Sequence, residues 1–117
     1  MNPLRSLSND EKAVIAALLK GKPATQHIIE SLDDLGVAEM SDGGMGSLSL
    51  VPKGVESTSR SFGQQLVLGE FTDSDGVPVS VALNVDGGGK LYELDVWKVN
   101  FAPLLKWPDP TDIRIVG

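Results

Sequence analysis

The stretch Tyr92-Glu-Leu-Asp-Val-Trp-Lys-Val-Asn-Phe-Ala-Pro-Leu104 opens with strict alternation. Leu94 and Val96 fall on one side of an extended chain. Glu93, Asp95 and Trp97 fall on the other. A period of two marks a strand with one face toward a core and one toward solvent. The Pro-containing end stops the strand. Two carboxylates and a Trp on one face suit a binding surface better than a catalytic centre.

Working outward, residues 65–73 and 77–85 repeat the strand pattern. Asp73-Ser-Asp-Gly76 between them suits a type I turn with a left-handed glycine as bulge. Asp86-Gly-Gly-Gly89 suits the turn into a third strand over 90–99. The three strands form an antiparallel meander. A four-residue second loop pairs Leu83 with Tyr92, Val81 with Leu94 and Val79 with Val96. A five-residue loop sets Val81 against Asp95 and Leu83 against Glu93 on the core face. Burying carboxylates unpaired costs several kcal/mol each, so the first register is preferred. The bulged first turn pairs Phe71 with Val79 and Val67 with Leu83. The outer face then carries Glu70, Ser80 and Asp95 in one row. Thr72, Pro78 and Trp97 form the next, and Leu68, Ala82 and Glu93 the row on the other side.

Toward the N-terminus, Ser8-Asn-Asp-Glu11 is a capping box, with each end of the motif satisfying an amide of the other. Val14, Ile15, Leu18 and Leu19 follow at helical spacing, and Gly21 and Pro23 end the helix near residue 20. A second helix is expected over about 24–35, where Ile28, Leu32 and Leu35 share a face. Asp33-Asp34 oppose the dipole at its end. Val37–Met40 and Leu48–Val51 flank the glycine-rich turn 41–46 as a hairpin. The sequence therefore predicts an α+β fold: two N-terminal helices, then an antiparallel sheet of about five strands with one face covered. Residues 1–117 read as one domain, with a helical part over 8–35, a sheet over 37–99 and a surface-wrapping tail over 100–117.

Bulk properties agree with a single packed unit. The chain has 117 residues, 41% of them hydrophobic and 22% charged. Its formal net charge is −6. An acidic surface repels phosphate backbones and attracts basic partners. The absence of cysteine excludes disulfides and thiolate chemistry and is compatible with a reducing compartment. The first twenty residues lack a signal-peptide core, and no apolar run approaches the ~20 residues of a membrane span. The cytoplasm is the expected location, and no membrane contact is expected.

No complete catalytic signature is present. Glu70 and Asp95, two strand spacings or about 10 Å apart, could act as the carboxylate pair of a hydrolase. Exposed acids on a sheet face more often serve solvation or partner contacts. His27 is the sole histidine and lacks the companions of a triad or metal site. Asp73-Ser-Asp-Gly76 resembles the start of a calcium loop but misplaces its glycine and ends on Asn84 where a glutamate belongs. Asp42-Gly-Gly-Met-Gly46 lacks the Lys and Ser/Thr of a phosphate loop. No cofactor or metal is expected. Trp97 could be covered by Phe101, Leu104 or a helix of its own chain, or stand open as an interface anchor. Trp107 could seal the core or lie exposed.

The segments Asp42-Gly-Gly-Met-Gly-Ser-Leu48 and Glu93–Leu104 resemble those of a small bacterial family of unknown function. The linking Phe71-Thr-Asp-Ser-Asp-Gly-Val-Pro-Val79 fits the same pattern, so the resemblance spans most of residues 8–105. It brings no catalytic residue with it. In character the chain is similar to immunity proteins of contact-dependent growth inhibition and other bacterial toxin systems. That similarity implies a non-enzymatic protein that binds a basic, nuclease-type toxin domain and occludes its active site. Glu70, Asp73, Asp75, Glu93, Asp95 and Trp97 are the candidate contact residues. The alternatives are a small housekeeping domain that binds a small molecule or a protein, or a hydrolase built on Glu70 and Asp95.

Overall fold

A computed structural model describes residues 4–20, 22, 26–41, 43–55 and 60–116. Among these residues seven strands form one antiparallel sheet. In chain order they are β1 Arg5–Ser6, β2 Gly36–Glu39, β3 Leu48–Val51, β4 Phe62–Thr72, β5 Pro78–Asp86, β6 Leu91–Lys98 and β7 Arg114–Val116. Their order across the sheet is β1-β2-β3-β6-β5-β4-β7. The meander of β4, β5 and β6 forms the long central part. The 36–51 hairpin extends it beyond β6.

The expected pair of helices over a five-stranded sheet is not what forms. Among the described residues only α1, Asn9–Leu19, is a helix of substantial length. Its capping box is in place: the Ser8 hydroxyl accepts from the Glu11 amide, and Glu11 accepts from the Ser8 amide. Val14, Ile15, Leu18 and Leu19 are buried against the sheet. The second segment breaks into α2, Gln26–Glu30, and a 3-10 turn over Leu32–Asp34. The amides of Ser31, Asp34 and Leu35 each bond three residues back. Two consecutive acids at the end of that segment oppose a continuous α-helical dipole. The tighter turn still buries Leu32 and Leu35.

The two extra strands are β1 and β7, of two and three residues. Neither is long enough to show a period. β1 pairs with β2 and β7 with β4, so both sheet edges are formed by short terminal segments.

The meander keeps the expected faces but shifts one pairing. Phe71 opposes Val79 and Val67 opposes Leu83, as the first turn requires. Between β5 and β6, Leu83 opposes Leu94, Val81 opposes Val96 and Val79 opposes Lys98. This is two residues from the expected register. The hairpin closes with Val85 against Leu91, an alignment that would turn Glu93 and Asp95 into the core if it continued. A register shift after Asn84 leaves Tyr92 as the extra residue and restores the parity. The energetic argument against buried carboxylates therefore holds, but the bulge satisfies it, not the loop length.

One face of the sheet carries the core: Val37, Leu48, Leu50, Val67, Phe71, Val79, Val81, Leu83, Leu94 and Val96 pack with α1. Gly69 lies beneath α1, where an added Cβ would come 2.8 Å from a Leu18 methyl. No described helix lies over the opposite face.

Candidate functional site

The face away from α1 is built by the odd residues of β6 and the even residues of β4 and β5. Its observed rows are Glu70–Ser80–Trp97 and Leu68–Ala82–Asp95, with Asn84 opposite Glu93 in the next. Trp97 thus replaces Asp95 in the expected Glu70–Ser80 row, a consequence of the two-residue shift. Trp97 is 51% exposed, so its own chain covers the indole only in part. Phe101 is 62% exposed and meets the indole edge-on, with ring centroids 4.9 Å apart. Phe101 takes a left-handed backbone, φ 61°, which is uncommon for an aromatic residue. The turn that holds it there is closed by its amide on the Lys98 carbonyl, 2.9 Å.

A groove of 440 Å³ runs beside the indole. Its floor is low because Ser80 and Ala82 are small. Leu68 of β4 lines one side, Asp95 and Trp97 of β6 follow, and Met40, Met45 and Ser47 line the side beyond β6. The carboxylate of Asp95 accepts from the side-chain amide of buried Asn84 at 3.1 Å. Glu93 lies one row away. Partial burial, and then repulsion from Asp95, raises its pKa above the ordinary glutamate value. No cationic side chain pairs with either acid among the described residues.

The remaining candidate residues go elsewhere. Glu70 is on the open face but paired with Arg114 of β7. Asp73 and Asp75 are held by Lys98, which points to the core side and is fully buried. Lys98 Nζ donates to Asp73 Oδ2 and Asp75 Oδ2 at 2.8 Å each and to the Pro103 carbonyl at 3.2 Å. Asp73 also accepts from the amides of Ser74, Leu105 and Lys106. Burial opposes its charge, but the Leu105 amide, Lys98 and the Ser74 amide outweigh burial and bring its pKa to about 2. Burial likewise lowers the Lys98 pKa, and its two carboxylate partners outweigh that and leave it raised. This arrangement is a clasp between the β4–β5 turn, the end of β6 and the tail.

The two segments that carry the family resemblance meet at this clasp. The Lys98 amide donates to Met45 Sδ, and the Ser47 hydroxyl exchanges hydrogen bonds with the backbone of Val96. The Leu104 amide donates to the Gly44 carbonyl. Trp107 lies over Gly46, half-buried at the margin of the core.

Sequence reasoning missed Lys98 as a buried cation, although its parity matches Leu94 and Val96 and was the available signal. It also missed Arg60, which donates to Asp86 and to the carbonyls of Leu50 and Leu91 and lies over the Tyr92 ring. Asp86 in turn caps the amides of Gly88 and Lys90. His27 lies in α2, with its side chain outside the described residues, as is Asp42 of the glycine-rich turn. Asp73-Ser-Asp-Gly76 forms a tight turn, with the Gly76 amide on the Asp73 carbonyl and Gly76 at φ 81°. Among the described residues, no three His, Asp or Glu side chains are grouped to hold a metal ion, and no helix is long and apolar enough to cross a membrane.

Comparison with known proteins adds a family and no activity. The family model described as "Domain of unknown function (DUF6984)" matches residues 4–108. No curated protein matches the chain, and no solved structure does.

Proposed function

The chain belongs to the DUF6984 family, and on that premise we propose that it is a protein-binding module whose partner docks on the open face of the sheet around Trp97. The observation that carries this reading is an exposed Trp beside a groove, with two acids near it and no cation of the chain among the described residues to neutralise them. Trp is the residue most enriched among interface hot spots, and flanking acids favour a basic partner. The net charge of −6 acts in the same direction over longer range.

The specific form we propose is an immunity protein that binds a basic toxin domain in trans and covers its active site. The test is calorimetry between this chain and a purified basic toxin domain encoded beside its gene. A complex at micromolar concentration or tighter, lost with Trp97→Ala while the fold is kept, is the expected result. Absence of any complex, or binding indifferent to Trp97→Ala, overturns it.

One observation favours a second reading. The groove volume of 440 Å³ falls in the range of small-molecule sites, roughly 300–1,000 Å³. A small-molecule binding domain would show saturable ligand binding in the groove without a protein partner. A hydrolase built on Glu70 and Asp95 has less behind it, since Glu70 is in an ion pair with Arg114.

A further inference from the structure

We infer that the groove lined by Trp97 and Asp95 is a receptor for a single arginine side chain presented by the partner. This rests on the open face being a protein-docking surface and names the group that it recognises.

Three properties of the groove select that chemistry. Its walls are Leu68, Met40, Met45 and the indole of Trp97, which suit an alkyl stem. Trp offers the strongest aromatic surface for a cation, and a planar guanidinium can stack on it as well as be attracted to it. Asp95 supplies the counter-charge, and among the described residues no Lys or Arg lines the groove. Asn84 is buried and holds one oxygen of that carboxylate, Oδ2. Oδ1 remains without a partner among the described residues. Asn84 is therefore a positioning residue: its amide aims the carboxylate and leaves acceptor capacity toward the groove.

Lysine fits less well. Its ammonium is a compact, strongly hydrated charge that gains little from stacking. A half-open groove with one lining carboxylate offers too few acceptors to replace that hydration. Phe101 touches Trp97 but does not line the groove, so it braces the ring without occupying the site.

The experiment uses the whole chain and three capped tripeptides, Gly-Arg-Gly, Gly-Lys-Gly and Gly-citrulline-Gly. Binding is followed by the indole N–H signal of Trp97 in two-dimensional NMR, with the Trp107 signal as internal reference. The arginine peptide is expected to shift Trp97 saturably in the millimolar range. A charge-assisted contact predicts roughly tenfold weaker binding of the uncharged citrulline peptide. Asp95→Asn should reduce arginine binding to the citrulline level, with the remaining spectrum unchanged. Asn84→Ala should weaken binding less than Asp95→Asn, and Asn84→Asp should not rescue it.

Equal binding of arginine and citrulline, a preference for lysine, or a Trp97 signal unmoved by all three overturns the receptor. If the receptor fails while Trp97→Ala still abolishes the protein complex, docking on this face stands and only its arginine anchor falls. If the complex does not form while the arginine peptide still binds as expected, the docking reading falls and the arginine site stands.

Discussion

At the scale of single residues, Lys98 and Trp97 are neighbours with opposite fates. One is fully buried and the other half exposed, because adjacent residues of a strand face opposite ways. Lys98 can be buried only because Asp73 and Asp75 accompany it. Removing Asp73 leaves buried Lys98 with Asp75 alone and takes the acceptor from three backbone amides; breaking a buried ion pair costs about 3–5 kcal/mol. Asp73→Ala is therefore expected to lower the denaturation midpoint sharply in urea titration, whereas Trp97→Ala should leave it nearly unchanged. The acid side of the stability profile has the same origin. Asp73 falls from an ordinary 3.8 to about 2 on folding. Its contribution is complete above 3.8 and disappears as pH falls toward 2, so acid melting should be shallower in Asp73→Ala. Glu93 has the opposite sign. Its pKa is raised on folding, so its contribution is complete below the ordinary value of 4.5 and disappears as pH rises through the raised value. Glu93→Gln should raise the melting temperature at neutral pH and leave it unchanged in acid.

At the scale of elements, the legible parts were those where a period or a cap is local. The alternation Val79-Val81-Leu83 against Leu94-Val96 set the faces correctly, because a misfaced Asp95 or Glu93 would be buried uncompensated. Ser8 and Glu11 set the start of α1 because both partners of the cap lie within four residues. Ser8→Ala should cost about 0.5–2 kcal/mol, read from thermal melting. What could not be read was non-local or too short. The extra residue at Tyr92 accompanies Asp86 bonding to Gly88 and Lys90 and to Arg60, which lies 26 residues away in sequence. Local spacing carries no trace of that contact. β1 and β7 are too brief for a pattern, and the break in the second helical segment leaves no mark because Ile28, Leu32 and Leu35 fit a helical face and a 3-10 turn almost equally. The groove was only half legible. The alternation already puts Leu68, Ser80 and Ala82 on the face of Asp95 and Trp97, but Met40 and Met45 join them only in the fold. The glycine-rich turn offers a further test. Gly46 sits at φ 102°, and an added Cβ would lie 3.2 Å from the Trp107 ring. Gly46→Val should lift Trp107 off the sheet, seen as a red-shifted fluorescence spectrum in a Trp97→Phe background.

At the scale of the whole molecule, the sheet ends on two short strands that each carry an arginine. Arg5 pairs with Glu11 and Glu39, and Arg114 with Glu70. Short charged edges discourage edge-to-edge pairing. β7 lies beyond residue 108, where the family match ends, and pairs with only three residues of the eleven-residue β4. Ending the chain after Ile113 would bare that edge. Sedimentation should then show self-association at concentrations where the full chain is monodisperse. Association with a basic partner is expected to slow as salt is added, because screening shortens the reach of the acidic surface.

The clasp at Lys98 also has a thermodynamic consequence for recognition. It ties the end of β6 to the β4–β5 turn and the tail, one residue from the indole and on the reverse of the same strand. Trp97 therefore stands on backbone that is already ordered before any partner arrives. Docking on such a surface loses little main-chain freedom, so more of the contact free energy should appear as affinity. Loosening the clasp from the far side, through Asp75→Ala, would then weaken binding through a larger entropic penalty, at a site the partner never touches.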